Sequence, residues 1–216
     1  MNSSYVDIES ISPNKNSPRN HAIDSITIHC TAGQMNAKDL LSMFAKSSRK
    51  ASANYVIGKD CLIGLCVPES DRSWCSSSAA NDNRSITIEV SSDSKSPYNV
   101  NDDVFESLLV LLCDICRRNG FKRLVWLGDD KNNSNYERKP GECLLTLHKW
   151  FANKACPGPY LIAKMPVIAE YVNTSLNGSI KKVIEKRKAV IENLKTLLNE
   201  MDQLNQIVDK YFGISV

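Results

Sequence analysis

The residues best suited to chemistry lie in Leu145–Tyr160, LTLHKWFANKACPGPY, which carries His148, Lys154 and Cys156. Neutral imidazole and thiolate are both good zinc ligands, and a nearby ammonium suits a site that must hold a developing oxyanion. Pro157-Gly158-Pro159 follows directly. Proline lacks an N–H and fixes φ, so Cys156 is expected on a stiff turn, not inside a helix. A lone histidine or cysteine is more often structural than functional, so such a site needs donors from elsewhere in the chain.

Two candidates follow from pattern. Ser25–Cys30, SITIHC, alternates β-branched and polar residues and runs into Thr31-Ala32-Gly33. That predicts a strand with His29 at its C-terminal end, where α/β sheets place their chemistry; the plainer reading is a histidine capping a sheet edge. Arg84–Val90 predicts another strand, with Ile86, Ile88 and Val90 on one face and Ser85, Thr87 and Glu89 on the other. Glu89 is then either solvent-facing or poised in a cleft.

The elements that must position these groups can be read along the chain. Residues 1–24, rich in Asn, Ser and Pro, predict an extended arm with little regular structure. Asn36 caps a short amphipathic helix. Residues 52–58 and 61–67 flank Lys59-Asp60 as a β-hairpin. Residues 71–83 predict a long polar loop whose Trp74 serves either as a sugar-stacking platform or as a plug that anchors the loop. A long helix opens after Asn101 and ends at Asn119-Gly120. Residues 121–128 form a strand, 129–142 a polar surface excursion, and 160–176 a helix broken by Asn177-Gly178-Ser179. The expected fold class is α/β, a mixed central β-sheet flanked by helices, with a C-terminal helical tail. The expected divisions are the arm (1–24), a catalytic domain (25–178) and the tail (179–216).

Composition narrows the function classes. At 216 residues, 42% apolar and 24% charged, the chain reads as globular. A net charge of +3 is too small to argue for nucleic acid, and no apolar run is long enough to span a bilayer. The first residues show no basic segment followed by an apolar core, so no secretory signal is expected and synthesis is expected in the cytoplasm. The eight cysteines are read mostly as reduced core residues, including the Cys113/Cys116 pair inside an apolar helical run.

Together these residues resemble a known family. Ser12-Pro13-Asn14…Ser17-Pro18-Arg19, Ile26–Gly33, Ser52–Ile57, Asn81–Val90 and His148…Lys154–Pro159 occur in the order found in zinc-dependent N-acetylmuramoyl-L-alanine amidases. These make up the type-2 amidase superfamily, which also contains peptidoglycan recognition proteins. The arrangement most resembles the endolysins of phages and prophages of Gram-positive bacteria. The resemblance implies His29, His148 and Cys156 as ligands of Zn²⁺, with Glu89 and Lys154 as catalytic residues. It also implies Asn54 and Trp74 as substrate contacts. Some members use a tyrosine in the hairpin strand; Ala53 falls at that position, so Tyr55 is left out of the catalytic set. Where many members have a histidine after the tryptophan, this chain has Cys75.

Three protein ligands would leave one tetrahedral position for water, whose pKa zinc lowers to about 7. Glu89 would carry the proton to the leaving amine, and Lys154 would help hold the oxyanion. The implied substrate is peptidoglycan, cut between the MurNAc lactyl group and L-alanine, with a holin-type route to the wall. The alternative is a non-catalytic peptidoglycan-binding module on the same fold; retention of His29, His148, Cys156, Glu89 and Lys154 speaks against it. A Cys–His thiol hydrolase with Cys156 as nucleophile would leave His29 and Glu89 without roles.

In the tail, Val190, Leu194, Leu197, Met201, Leu204, Val208 and Tyr211 step by four and three. This seam fits either a coiled coil pairing two copies through residues 180–212, or a long helix folding back on the domain.

Overall fold

The computed structural model describes residues 1–213, and the side chains of all of these except 179–186, 207–209 and 212. The chain divides into two units, Met1–Leu176 and Asn177–Val216. The first contains β1 (Ile8–Glu9), β2 (Lys15–Asn16), β3 (Ser25–Cys30), α1 (Ala37–Phe44), β4 (Tyr55–Ile57), β5 (Ile63–Leu65) and β6 (Arg72–Ser73). It continues through α2 (Ala79–Arg84), β7 (Ser85–Val90), α3 (Asp102–Arg118), β8 (Arg123–Val125), β9 (Glu142–Leu147) and α4 (Gly158–Leu176).

Seven strands form one mixed sheet in the order β1-β5-β4-β7-β3-β9-β8; β2 and β6 pair separately. The inner strands β4, β7, β3 and β9 run parallel, and β5 turns back antiparallel to β4 as the expected hairpin. The two faces of the sheet differ in chemistry. Ile26, Ile28, Ile86, Ile88, Val90, Leu145 and Leu147 join the main apolar core with residues of α3 and α4. Leu108, Leu111, Leu112 and Ile115 of α3 are fully buried in that core. Each contributes roughly 1.5–3 kcal/mol of hydrophobic stabilisation. On the other face, α1 packs Leu40, Leu41 and Phe44 against Val56.

Beside α1, that second face is lined with hydroxyls. Thr27 lies opposite both Thr87 and Thr146. Thr27 Oγ1 is 2.7 Å from Thr146 Oγ1, and Asn81 Nδ2 of α2 donates to Thr27 Oγ1 at 2.9 Å. Buried polar groups must be paired, and this network pairs them with one another. Asn54 belongs to the same layer. Its Nδ2 donates to the carbonyls of Val67 and Pro68, and its Oδ1 accepts from Thr87 N–H at 3.1 Å.

Several expectations are corrected here. Residues 71–83 are not one loop: they contain β6 and most of α2, the latter capped by Ser78, whose side chain accepts from Asn81 N–H. The strand expected over 121–128 is only β8, and α4 begins at Gly158. β9 was not foreseen. Glu142–Leu147 is buried along its whole length, so it has no polar alternation to mark it as a strand. The arm carries two short strands, β1 on the edge of the main sheet and β2.

The second unit is α5 (Ser179–Phe212). Val190, Leu194, Leu197, Met201, Leu204 and Tyr211 of the seam are each more than half exposed; the side chain of Val208 lies outside the described residues. No described helix is long and apolar enough to cross a membrane.

One ion-pair cluster fastens α3 to the hairpin side of the sheet. Glu69, 2% exposed, accepts from Arg118 Nη2 at 2.6 Å and from the Tyr55 hydroxyl at 2.5 Å. Arg118→Ala strips that buried carboxylate of its cation, leaving it only neutral donors, and is expected to cost about 3 kcal/mol, whereas Tyr55→Phe is expected to cost about 1 kcal/mol. Asn54→Ala is expected to cost about 2 kcal/mol by leaving backbone groups unsatisfied. Urea unfolding of each variant checks these values; equal midpoints for native protein and Arg118→Ala would contradict the first.

Candidate active site and metal centre

The parallel register builds the site as a row. His29 of β3 lies directly opposite Glu89 of β7. On the other side Ile28 lies opposite Leu147, the last residue of β9, so His148 follows level with His29. Side chains alternate along a strand, so Glu89, His29 and His148 rise from the same face as the threonines two residues earlier. Neighbouring strands lie about 4.8 Å apart. The two imidazole centroids are 4.9 Å apart, with the rings tilted by 59°.

Cys156 reaches this row from the turn ahead of α4. Gly158 has φ +85°, and a Cβ there would meet Tyr98 Cδ2 at 2.6 Å, so the turn requires glycine. Cys156 Sγ lies 3.4 Å from His29 Nδ1 and accepts the Cys30 backbone N–H at 3.4 Å. The donor atoms of His29, His148 and Cys156 are all within 4.8 Å of one another. Ser77 Oγ sits 3.2 Å from His148 Nε2, which leaves Nδ1 of that ring for a cation.

The electrostatics suit a cation. Burial pushes the pKa of His29 well below its ordinary value, and the neighbouring His148 lowers it further. Burial, with Lys154 nearby, also lowers His148. Both rings are therefore neutral and able to donate a lone pair. The Cys156 thiol is pushed up, first by its hydrogen bond with Cys30 and then by burial. That direction is opposite to the depressed pKa that a nucleophile of the Cys–His kind needs. His29 Nε2, on a residue with no exposure, has no hydrogen-bond partner among the described residues. Two imidazoles and a sulfur with room for a further ligand are the donor set of a catalytic zinc site, so these residues fit that ion.

Glu89 and Lys154 line the same cleft as His148, a depression of about 500 Å³. Arg49 and Arg72 add positive charge to its walls. A smaller neighbouring hollow of about 220 Å³ reaches Cys30 and Cys156 and shares Glu89, His148 and Lys154 with the first. Glu89 is largely buried, and burial pushes its carboxyl up to about 8, with Cys30 adding to the effect and Arg49 opposing it. A carboxyl held near neutrality can both take and return a proton.

Trp74 anchors its loop at the cleft wall. Its indole N–H donates to Asn16 Oδ1 at 2.7 Å and its backbone N–H to Ser52 Oγ, while the residue lines the cleft. Asn54 is corrected: it is fully buried and its amide is engaged by backbone groups, so it shapes the floor and does not face a substrate. Tyr55 is committed to Glu69. The sequence reading missed Arg49, which follows α1 on a single helical turn, Ser47–Arg49, with no motif to mark it. It also missed Ser77, whose positive φ of 60° places its hydroxyl against His148.

Comparison with known proteins agrees with this geometry. The fold matches the catalytic domain of XlyA (TM-score 0.51, 15% identity, 77% of this chain and 99% of the other). It matches a mutant endolysin from Bacillus subtilis (TM-score 0.52, 15% identity, 77% and 99%). It also matches the Staphylococcus aureus hydrolase AmiA in complex with its ligand (TM-score 0.55, 16% identity, 81% and 85%). No curated protein sequence matches the chain. Residues 19–159, which include every strand from β3 to β9 and all five of these candidate catalytic and ligand positions, match the Amidase_2 profile, N-acetylmuramoyl-L-alanine amidase. The chain belongs to the Amidase_2 family of N-acetylmuramoyl-L-alanine amidases.

Proposed function

We propose that this peptidoglycan amidase hydrolyses the bond between the MurNAc lactyl group and L-alanine at a site where His29, His148 and Cys156 would hold a zinc ion. The observation that carries this reading is the convergence of those donors within 4.8 Å at the strand ends, beside Glu89. Zinc bound there supplies Lewis acidity and a more acidic water. The residues do the rest. Neutral His29 and His148 offer lone pairs, and the Cys30 N–H steadies the Cys156 sulfur as it gives up its proton. Glu89 accepts the proton of the attacking water and returns it to the departing amine of L-alanine. Lys154, at the mouth of the cleft, balances the charge that grows on the carbonyl oxygen. Trp74 offers a face for the sugar.

The same reading extends to the biological role. The enzyme acts on the bacterial cell wall as an endolysin of phage or prophage type, reaching it by a holin-type route. Residues 25–178 form the catalytic domain. The tail 179–216 pairs two copies into a homodimer through residues 180–212, which the exposed seam along α5 supports. Light scattering on the purified chain decides that point: a monomer at tens of micromolar would remove the dimer.

The chemistry has a direct test. Dialysed native protein is expected to hold one zinc per chain and to release new L-alanine amino termini from purified peptidoglycan. Cys156→Ala should lose the ion. Glu89→Gln should keep it while losing about 10²–10⁴-fold in rate. Lys154→Ala should lose about 10²–10³-fold. Zinc retained without amine release from several wall types would point to a binding module instead.

Glu89 also predicts a pH effect on stability. Its carboxyl moves from 4.5 to about 8 on folding, so the folded state favours the protonated form. That contribution is fully present below about 4.5 and is lost as pH rises through about 8. In chelator-treated protein, native stability should therefore fall relative to Glu89→Gln across this window. Parallel melting curves for the two proteins from acid to alkaline pH would contradict it.

A further inference from the structure

Cys75 has no part in the reaction derived above, yet its sulfur lies beside the catalytic row, 3.9 Å from Glu89 Oε1. We propose that His29, Cys75 and Glu89 form a second, weaker position for a soft divalent cation such as zinc or cadmium, whose filling withdraws Glu89 from proton transfer. The proposal rests on the reading of His29, His148 and Cys156 as the primary ligands.

Geometry carries it. The donor atoms of His29, Cys75 and Glu89 lie within 4.8 Å of one another, the same closeness as in the primary set. Cys75 Sγ is 3.9 Å from Glu89 Oε1. Two buried atoms, His29 Nε2 and Glu89 Oε2, have no hydrogen-bond partner among the described residues, and each belongs to this set. Polar atoms stripped of water and left unpaired favour any ligand that can satisfy them. Imidazole, thiolate and carboxylate are the three side-chain types that bind zinc, and the sulfur selects it over magnesium or calcium.

The position is also built on a fixed support. Asp82 of α2, 3% exposed, accepts the backbone N–H of Cys75 at 3.0 Å and that of Ser76 at 3.0 Å. It accepts the Ser76 hydroxyl at 2.6 Å as well. The carboxylate thus grips the loop on both sides of the Cys75 side chain, so Sγ is held toward Glu89 without help from a metal. Cys75 and Glu89 both line the open cleft, which gives a cation a path in.

Sharing His29 sets the order of affinity. Its Nδ1 faces Cys156, so the second position must use Nε2. With an ion already on Nδ1, Nε2 becomes a donor only when the ring gives up its remaining proton. Binding there exchanges that proton and the Cys75 thiol proton for the cation, and both leave to solvent; no electron moves. The second ion therefore binds more weakly than the first and is lost on dialysis. A carboxylate engaged as its ligand cannot act as a base, so filling this position silences the enzyme.

Cadmium titration of chelator-stripped protein tests this through the thiolate-to-cadmium ultraviolet band, independently of activity. Native protein and Cys30→Ser should show two steps, and Cys75→Ser only the tighter one. Cys156→Ser should lose the tight step and keep one step that depends on Cys75, no weaker than the second step of native protein. Glu89→Gln should weaken the second step by more than about tenfold while leaving the first in place. In parallel, excess zinc should inhibit native enzyme, with at least about tenfold more zinc needed for Cys75→Ser. A single step in native protein, or two steps surviving in Cys75→Ser, would overturn the second position. Absence of the tight step in native protein would instead overturn the primary metal reading.

Discussion

The parallel register of three neighbouring strands is the constraint on which the rest depends. Because β7, β3 and β9 run in the same direction, residues at the same level share a face and a height. Glu89, His29 and the residue just past β9, His148, are thereby set in line at one strand spacing. A slip of one residue in any of the three would turn its functional group to the opposite, apolar face. Hydrogen bonding along the ladder therefore fixes the spacing of the donors before any ion is present.

The sheet can hold such a row because its two faces carry different solvents. Beneath α3 and α4 the face is isoleucine, leucine and valine, and its burial supplies most of the folding drive. On the other face, the first step back from the site meets Thr87, Thr27 and Thr146, each satisfied by a neighbour, with Asn81 and Asn54 completing the network. An apolar layer there would give no purchase for the loop between β6 and α2. The hydroxyl layer instead holds that loop down, so Asp82, Cys75 and Ser77 border the cleft in defined places. Asn54 shows how easily this supporting layer is mistaken for the site itself. It lies in a motif shared with the family and beside the cleft, but its hydrogen bonds all run to backbone groups and Thr87.

Burial of this row has an electrostatic consequence that couples its members. Low-dielectric surroundings keep both histidines neutral and hold the Glu89 carboxyl near neutrality, so the row carries little charge of its own. A divalent ion entering it would meet neutral nitrogen donors, with Lys154 and Arg49 around the cleft to receive the negative charge that develops on a substrate. The same environment leaves His29 Nε2 and Glu89 Oε2 without partners among the described residues, which a protein tolerates where a ligand is to be held.

Local sequence determined a good part of this. Alternation in SITIHC and SITIEV marked two central strands and put His29 and Glu89 near their ends, because period-two patterning survives wherever one face differs from the other. Pro157-Gly158-Pro159 marked the turn of Cys156, because proline and glycine restrict the backbone by themselves. The order of elements was enough for an α/β class with a mixed sheet. Other features only the tertiary structure decided. β9 is buried on both faces and so has no alternation to read, although it carries His148 to its place. Arg49, on a single helical turn, and Cys75 and Ser77, in the segment held by Asp82, reach the site along a course that no sequence pattern marks. The convergence of His29, His148 and Cys156 arises from strand order and from the turn before α4, contacts between residues far apart in sequence, which no local pattern encodes.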